Sequence, residues 1–301
     1  MEKNAVTIVG SINYDIIFKQ KRLPVIGETF TADSVAFTGG GKGANQAVQC
    51  AKLGLETYMV GKVGNDNFGP ELLSKMENYG LNVDYVETAH TNTGIGVVNA
   101  IEDGRLVATI SKGANYSLTC EDIEKAEGLF EKSRMVILQL EIPKEVVEYS
   151  IQKAKEHSCY VILNAAPASE IDEEFLRMVD CLVVNETEAS FYAGETVSTV
   201  EEAEKVCEKL FQYPDDLLII TLGEKGSLLY DGERKVRFLP KKVDVIETTG
   251  AGDSYIGALA YALINKMSYD EMGEFASLVS SRTVTKVGAQ EAMPTLAEVK
   301  E

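Results

Sequence analysis

The chain has 301 residues, of which 29 are basic, 47 are acidic and 45% are apolar, so its formal net charge is −18. This composition is ordinary for a globular protein, and such a length can form one large domain, alone or with a small satellite. The acidic balance argues against nucleic acid or an anionic membrane as a partner, because phosphates are held by Lys and Arg. No apolar run approaches the ~20 residues that span a bilayer, and no signal peptide precedes the first strand-like run.

The five cysteines predict free thiols in a reducing compartment. They are odd in number, widely spaced and without a CxxC pair, at Cys50, Cys120, Cys159, Cys181 and Cys207. This pattern argues against disulfides or a thiolate zinc site and favours a cytoplasmic protein. His90 and His157 are both expected at the surface. Any chemistry must therefore come from Asp, Glu, Asn, Lys, Thr and backbone amides.

Short apolar runs predict strands that are buried on both faces of a parallel sheet. The runs lie at residues 6–10, 58–60, 135–140, 161–163, 181–184 and 217–220. Helix signals separate them: Pro70 stands inside a helix that runs towards Tyr79 and ends at Gly80. At residues 198–202 a capping box can form in either of two registers, and a further capping box is predicted at residues 268–271. This alternation predicts an α/β fold, a three-layer sandwich with a mostly parallel central sheet.

Two segments, residues 14–38 and 92–111, break this rhythm because polar and apolar residues alternate in them. A parallel core has no place for such strands, so we assign them to a small antiparallel β-sheet that forms a lid, with a tight turn at residues 103–104. The remaining segments, 1–13, 39–91 and 112–301, are assigned to the α/β core. The apolar face of the lid needs cover from a ligand, a second subunit or both.

Polar residues follow the predicted strands at the edge where an open parallel sheet binds ligands. They are Asn13, Asp15, Glu141, Asn164, Asn185, Glu188 and Thr221. Solvation is the better explanation for any one of them alone, but their recurrence predicts a shared polar cleft.

The first glycine-rich stretch, TGGGKGANQA at residues 38–47, precedes a predicted helix. Its glycines allow a ligand to approach the backbone, and Lys42 and Asn45 supply donors. It is not a Walker A loop, because Gly43 stands where Ser or Thr must follow the lysine. The alternative is a flexible turn whose small residues allow close helix packing.

The second stretch, TTGAGDSYIGA at residues 248–258, leads into a helix that is expected to begin near Asp253. The unpaired N–H groups of such a terminus, together with the helix dipole, can form an anion hole. Asp253 is then either a helix-capping carboxylate or a base that the dipole keeps ionised. As a base it would accept a hydroxyl proton while the turn stabilises a transferred phosphoryl group.

These residues resemble the ribokinase-like family of carbohydrate kinases over essentially the whole chain. The matching motifs are GSINYD at residues 10–15, GGKGAN at 40–45, NETE at 185–188, TLGEKG at 221–226, GAGD at 250–253 and KVGAQ at 286–290. GAGD and NxxE are typical of the family, and GGKGAN favours the members that act on ribose. The resemblance implies transfer of the γ-phosphoryl group of ATP to the 5-hydroxyl of D-ribose, directly in line and without a phosphoenzyme.

The resemblance also implies the roles of individual residues. Asp253 would be the general base, and the backbone of Gly250, Ala251 and Gly252 would hold the γ-phosphoryl group. The implied sugar-binding residues are Asn13, Asp15, Gly41, Lys42, Asn45 and Glu141, with Gly96, Val98 and Ile110 of the lid nearby. The residues implied along ATP are Asn185, Thr221, Gly223 and Gly226.

Metal ions and a second subunit follow from the same resemblance. Glu188 would act on Mg²⁺ through water, since this ion keeps much of its hydration shell. A monovalent cation, K⁺, is implied near Glu247, Thr249, Thr283, Lys286 and Gly288. Members of the family often carry Asp where Glu247 stands, and the longer side chain bears on that site. The lid would pair in a homodimer and exclude water when it closes.

Three other functions fit part of this pattern. A kinase for another acceptor, such as deoxyribose, a ketohexose or a nucleoside, would differ only in the sugar pocket. A non-catalytic sugar sensor is disfavoured by the presence of Asp253 beside the anion-binding turn. A dinucleotide-dependent oxidoreductase is disfavoured because the GxGxxG glycines are missing after the first strand.

Overall fold

The computed structural model of the protein describes residues 3–102 and 106–301. The strands of the described chain are β1 (Ala5–Val9), β2 (Asn13–Gln20), β3 (Ser34–Gly40), β4 (Thr57–Gly64), β5 (Asn82–Ala89), β6 (Gly94–Ile101), β7 (Leu106–Ser111), β8 (Ser133–Leu138), β9 (Tyr160–Asn164), β10 (Cys181–Asn185), β11 (Leu217–Thr221), β12 (Ser227–Tyr230) and β13 (Lys235–Phe238). The α-helices are α1 (Lys42–Lys52), α2 (Phe68–Asn78), α3 (Cys120–Lys125), α4 (Glu127–Lys132), α5 (Lys144–Glu156), α6 (Glu173–Leu176), α7 (Glu186–Ala193), α8 (Val200–Leu210), α9 (Ala251–Ile264), α10 (Tyr269–Thr283) and α11 (Leu296–Lys300). The turn predicted at residues 103–104 lies outside the described residues.

A nine-stranded sheet forms the centre of the fold, in the order β13-β12-β11-β10-β9-β8-β1-β4-β5. Every neighbouring pair from β11 to β5 is parallel. The pairs β11–β12 and β12–β13, at one edge, are antiparallel. The interior strand β1 is buried at every position, because helices cover both faces of the sheet. The predicted α/β class with a mostly parallel central sheet is confirmed.

Each face of this sheet carries its own apolar core. Val136 and Leu138 of β8 belong to the core on one face, which also contains the fully buried ring of Phe130. Met135 and Ile137 belong to the core on the other face, which is completed by α1, α2, α9 and α10. Neighbouring residues of a strand point to opposite faces, so a strand that is apolar throughout supplies both cores.

The two segments that break the strand–helix rhythm form a second sheet, in the order β3-β2-β6-β7. Its outer pairs, β3–β2 and β6–β7, are antiparallel, and its central pair, β2–β6, is parallel. The central pair is parallel because β2 and β6 directly follow β1 and β5, two strands of the large sheet that run in the same direction. Four apolar side chains of this small sheet, those of Val35, Phe37, Val107 and Ile110, are between 41% and 56% exposed.

Helix ends follow the local signals of the sequence. Helix α2 stops before Gly80, whose φ of 90° no longer fits a right-handed helix. Of the two registers available at residues 198–202, the capping box uses Thr199 and Glu202. The carboxylate of Glu202 also accepts from the backbone N–H and the hydroxyl of Ser198, which fixes this register. The box at residues 268–271 forms as predicted and begins α10.

The expectations drawn from the composition agree with the structure. All five cysteines are free thiols, and four of them are buried. His90 is exposed, and His157 lies near the surface beside Glu127. Within residues 3–102 and 106–301, no helix combines the length and the apolar character needed to cross a membrane.

The buried ring of Phe130 provides a test of the core. We expect Phe130→Ala to lower the free energy of unfolding by about 3–5 kcal/mol, because it removes buried apolar surface and leaves a cavity. Phe191→Ala is the matched control, since that side chain is 46% exposed and its loss should change the free energy by less than about 1 kcal/mol. Urea unfolding followed by circular dichroism measures both; equal losses would contradict the assigned core.

Candidate active site

Two adjoining cavities lie at the carboxyl edge of the large sheet, where the sequence predicts a polar cleft. The smaller, of about 270 Å³, is lined by residues that include Lys42, Asn185, Glu188 and Asp253. The larger, of about 450 Å³, is lined by residues that include Gly223, Gly226, Ala251, Val245 and Tyr255. Thr221, Thr248 and Gly252 line both cavities, so the two meet at the amino terminus of α9.

A further cavity, of about 590 Å³, lies at the opposite edge of the sheet. Its lining includes Arg134 and Tyr160, at the starts of β8 and β9, and none of the predicted site residues. Ligands of open parallel sheets bind at the carboxyl ends of the strands. Despite its size, this cavity is therefore not the predicted site.

Asp253 lies in the first turn of α9, after Gly250, whose left-handed φ of 77° turns the chain into the helix. Its carboxylate is turned towards α1 and is only 8% exposed. Asn45 donates from Nδ2 to Oδ2 of Asp253 over 2.9 Å, and Gln46 donates from Nε2 to Oδ1 over 3.0 Å. No side chain caps the amino terminus of α9 within the described residues. The helix-capping interpretation of Asp253 is therefore wrong.

The surroundings of Asp253 shift its affinity for protons upward. Burial raises the pKa of this carboxyl, while the charge of Lys42 and the hydrogen bonds from Asn45 and Gln46 oppose the increase. The helix dipole by itself would keep Asp253 ionised. Burial is the largest effect on the pKa of this residue, however, and it favours the protonated form. A raised pKa makes the ionised carboxylate a stronger proton acceptor.

Lys42 provides the counter-charge of the pocket. Burial alone would lower the pKa of its ammonium group. The charges of Asp253, Glu141 and Glu188 outweigh burial, so the pKa is raised instead. The side chain therefore remains positively charged and faces carboxylates that arise from three separate parts of the chain.

Glu141 holds the start of α1 against the end of β1. Its Oε2 accepts from the Ser11 hydroxyl over 2.5 Å and from the backbone N–H of Lys42 over 3.0 Å. Gly41 caps the helix with a φ of 86°, and a Cβ at this position would overlap the backbone of Ser11 and Asn13. The predicted residues Gly41, Lys42 and Glu141 are thus brought together.

Asp15 and Asn13 project from β2 between strands that carry glycine at the points of closest approach. A Cβ at Gly40 or Gly96 would overlap the carboxylate of Asp15. A Cβ at Gly94 would likewise overlap the side-chain amide of Asn13. Small residues on both neighbouring strands therefore make room for these two polar side chains.

Asn115 is a member of the pocket that the sequence analysis missed. Its Nδ2 donates to Oδ1 of Asn13 over 2.7 Å, and its Oδ1 accepts from the backbone N–H of Ile12 over 2.8 Å. It lies in a short 3-10 helix, Gly113–Ser117, rather than at a strand end. No local pattern marks such a residue, so only the tertiary fold could reveal it.

Asn185 and Glu188 form a capping box at the start of α7. Asn185 Oδ1 accepts from the N–H groups of Thr187 and Glu188, and Glu188 Oε2 accepts from the N–H of Asn185 over 2.7 Å. Burial raises the pKa of Glu188, and its bonds to Asn185 and the charge of Lys42 oppose this. Both side chains therefore have a structural role in addition to lining the smaller cavity.

None of the three residues predicted in the lid lines either cavity. Gly96 pairs with Asp15 on one side and with Ile110 on the other, and Val98 lies two residues after Gly96 in β6. Gly96, Val98 and Ile110 therefore share the face of the small sheet that carries Asp15, because cross-strand partners and every second residue of a strand point to the same face.

The residues predicted around a monovalent cation come together beside α9. Gly288 donates its N–H to Oε2 of Glu247 over 3.2 Å, and the carbonyl of Thr283 accepts from the N–H of Lys286 over 3.3 Å. Within the described chain, Glu247 Oε1 and Thr249 Oγ1 are buried without a hydrogen-bond partner. Buried polar atoms are rarely left unpaired, so these two oxygens fit a cation.

The fold and the cleft define a class of protein, and comparison with known proteins identifies it. The profile described as pfkB family carbohydrate kinase matches residues 3–296, so the chain belongs to this family. It is 35% identical to the ribokinase of Bacillus subtilis over 297 residues, which cover 98% of each chain. It is 33% identical to the deoxyribokinase of Salmonella typhi over 298 residues, which cover 98% of this chain and 97% of that one.

A solved structure gives the same result. The ribokinase of Arabidopsis thaliana, complexed with ribose and ATP, matches with a TM-score of 0.90 and 32% identity over 99% of this chain and 98% of that one. The protein is therefore a sugar kinase of the ribokinase family, and the oxidoreductase alternative is excluded.

The ionisation of Asp15 is expected to control stability between about pH 4 and pH 7. Burial and the neighbouring charges of Glu141 and Asp253 raise its pKa from 3.8 to about 7. In that interval the folded state keeps a proton that the unfolded state releases, so stability falls as the pH rises. Asp15→Asn cannot ionise, and should raise the free energy of unfolding above pH 7 by up to about 4 kcal/mol.

Urea unfolding at pH 4 and pH 8 measures this difference between Asp15→Asn and wild type. The control is Asp231→Asn, whose native pKa is lowered rather than raised, so this variant should show no gain at pH 8. A stabilisation of Asp15→Asn of equal size at both pH values would contradict the proposed titration.

Proposed function

We propose that this kinase transfers the γ-phosphoryl group of ATP to the 5-hydroxyl of D-ribose and gives D-ribose 5-phosphate and ADP. The proposal depends above all on the position of Asp253. Its buried carboxylate stands at the amino terminus of α9, on the wall of the smaller cavity, with Lys42 and Asn45 beside it. This places a proton acceptor next to a group of backbone N–H donors.

The proposed transfer needs no covalent intermediate on the protein. The 5-hydroxyl oxygen attacks the γ-phosphorus in line, its proton passes to Asp253, and the bond to the bridging oxygen of ADP breaks. The N–H groups of Gly250, Ala251 and Gly252 would donate to the phosphoryl oxygens at the helix terminus. The N–H of Ala251 donates to the carbonyl of Thr248 over 3.2 Å in the structure, so it would share or exchange that bond. Lys42 stays charged and would offset the negative charge that accumulates there.

The nucleotide would lie in the larger cavity, along Thr221, Gly223 and Gly226, and would reach Asn185 in the smaller cavity. When bound, Mg²⁺ would neutralise the charge of the β- and γ-phosphates. Glu188 is a single buried carboxylate whose oxygens are already bonded to Asn185. That fits a contact through water better than direct coordination, since Mg²⁺ usually keeps several of its waters.

A monovalent cation and a homodimer belong to the same proposal. The unpaired oxygens of Glu247 and Thr249 support a K⁺ site beside α9. The exposed apolar residues of the small sheet support its role as a lid that pairs with a second copy. The free thiols support a cytoplasmic location.

Ribose is proposed over 2-deoxyribose because of the polar floor of the sugar pocket. Asn13 is 2% exposed, and none of the hydrogen bonds between described residues uses its Nδ2. A site that presents an unused donor of this kind favours a ligand that carries the matching hydroxyl. The deoxyribokinase relative keeps the deoxy sugar as the second candidate.

A panel of acceptors tests the substrate. With Mg·ATP, and with or without K⁺, an ADP-release assay should give a kcat/KM for D-ribose about 2–10-fold above that for 2-deoxyribose, since a single hydrogen bond contributes about 0.5–1.5 kcal/mol. A ketohexose and a nucleoside should be poorer acceptors. Asn13→Ala should bring the ribose-to-deoxyribose ratio towards one.

The control for this panel is Asn82→Ala, an amide on β5 that bonds to Asp84 away from the cleft. This variant should keep the wild-type ratio. Preference of the wild-type enzyme for 2-deoxyribose would replace ribose with the second candidate.

The role of Asp253 is tested by Asp253→Asn. We expect kcat to fall by about 10²–10⁴-fold, because general-base assistance is lost, while ATP still binds with near wild-type affinity. Single-turnover kinetics and an ATP titration measure these effects, and thermal unfolding checks that the variant is folded. Asp231→Asn, in the turn between β12 and β13, is the control. Near wild-type turnover of Asp253→Asn would remove this residue from its proposed role.

A further inference from the structure

Behind Asp253 lies a buried side chain that the proposed reaction does not use. Gln46, in the second turn of α1, is 0% exposed. Its Nε2 donates both to Oδ1 of Asp253, over 3.0 Å, and to Oδ1 of Asn164, over 3.1 Å. Its Oε1 accepts from Nε2 of Gln139 over 2.7 Å. The two N–H bonds and the carbonyl of this amide are therefore all engaged.

These contacts fix the direction in which the amide points. Rotation of the Gln46 amide by 180° would bring its oxygen against the oxygens of Asp253 and Asn164, and its NH₂ group against that of Gln139. Buried polar groups left unpaired, or placed oxygen to oxygen, are costly. Gln139 is itself 0% exposed, and its Oε1 lies close to Gly10 without a hydrogen-bond partner among the described residues. Its position therefore depends on close packing and on the bond from its Nε2 to Gln46.

We propose that Gln46 is a positioning residue for the reaction: it holds the Asp253 carboxylate towards the acceptor hydroxyl and donates to its charged form, with Gln139 and Asn164 fixing its own orientation. This inference rests on the proposed function, in which Asp253 accepts the proton. A carboxylate with a donor on each oxygen keeps one rotamer, and reaction rates are sensitive to misplacement of such a group by about 1 Å.

The charges around Asp253 determine the expected sign. Lys42 and Asn45 of α1 favour the ionised carboxylate, whereas burial and the charge of Glu141 after β8 disfavour it. Asp15 of β2 is a second carboxylate that interacts with Asp253. Loss of the donor from Gln46 would therefore raise the pKa of Asp253 further, so that the acid limb of the rate profile moves to higher pH.

The same helix provides a matched control. Gln49 is also 0% exposed, and its Nε2 donates to the carbonyl of Pro294 over 3.0 Å. Gln46→Met and Gln49→Met each replace one buried amide of α1 with a side chain of similar length. Both lose structural hydrogen bonds, but only Gln46→Met removes a contact to Asp253.

The experiment is a pH profile of the single-turnover rate at saturating ribose and Mg·ATP. Saturating sugar keeps the titration of Asp15 in the free enzyme out of the profile. For Gln46→Met we expect a rate about 10–100-fold lower, the effect of a hydrogen bond to a charged group, and an acid limb shifted upward by about one pH unit. Gln49→Met should keep the wild-type limb, and ATP affinity should change by less than about two-fold in both variants.

A second variant decides the outcome if Gln46→Met does not fold. Gln46→Glu keeps the shape of the side chain but places a second carboxyl against Asp253, and two such groups share one proton. Its acid limb should move further upward than that of Gln46→Met. A wild-type limb in the folded Gln46 variants, or the same shift in Gln49→Met, overturns the inference.

The proposed function fails separately from this inference. If Asp253→Asn remains active, Asp253 is not the base and the proposed function is wrong. If Asp253→Asn is inactive while the Gln46 variants keep the wild-type limb, only the role of Gln46 is wrong.

Discussion

The site depends on one constraint, which is that several carboxylates share a buried pocket with the ammonium group of Lys42. Asp15, Glu141 and Asp253 come from β2, the segment after β8 and α9. Glu141 disfavours the ionisation of both Asp15 and Asp253, and Asp253 also disfavours that of Asp15. The positive charge of Lys42 and the hydrogen bonds from the surrounding amides offset the repulsion between these carboxylates. The fold brings the groups together because the strands that carry or precede them end at the same edge of the sheet.

Much of the fold can be predicted because burial leaves a direct mark on the sequence. Strand β1 is buried at each position, and apolar at all but Thr7, since helices cover both of its faces. The capping boxes of α8 and α10 are local patterns of a few residues. The parallel pairing of β2 with β6 could not be predicted in this way. It depends on the directions of β1 and β5 in the other sheet, which no local pattern records.

The residues of the candidate site fall into the same two groups, those that a local sequence pattern marks and those that it does not. Lys42, Asn45 and Asp253 stand inside glycine-rich motifs, because a backbone that approaches a ligand closely needs glycine, and glycine is visible in the sequence. Asn115 and Gln139 stand outside these motifs and act through hydrogen bonds to residues far away in the chain. Gln46 stands inside the first motif, but nothing in the motif indicates its bond to Asp253. A buried amide looks like any other amide in a sequence, so these partners become visible only when the chain is folded.

The direct continuation of β1 into β2 has a consequence for the way new specificities could arise. Asn13 and Asp15 belong to a strand of the small sheet, yet only three residues separate that strand from β1 of the core. Any displacement of the small sheet would therefore carry part of the proposed sugar pocket with it. A change in the movement of the small sheet would therefore also affect the selectivity for the sugar, so evolution could not easily alter one without the other.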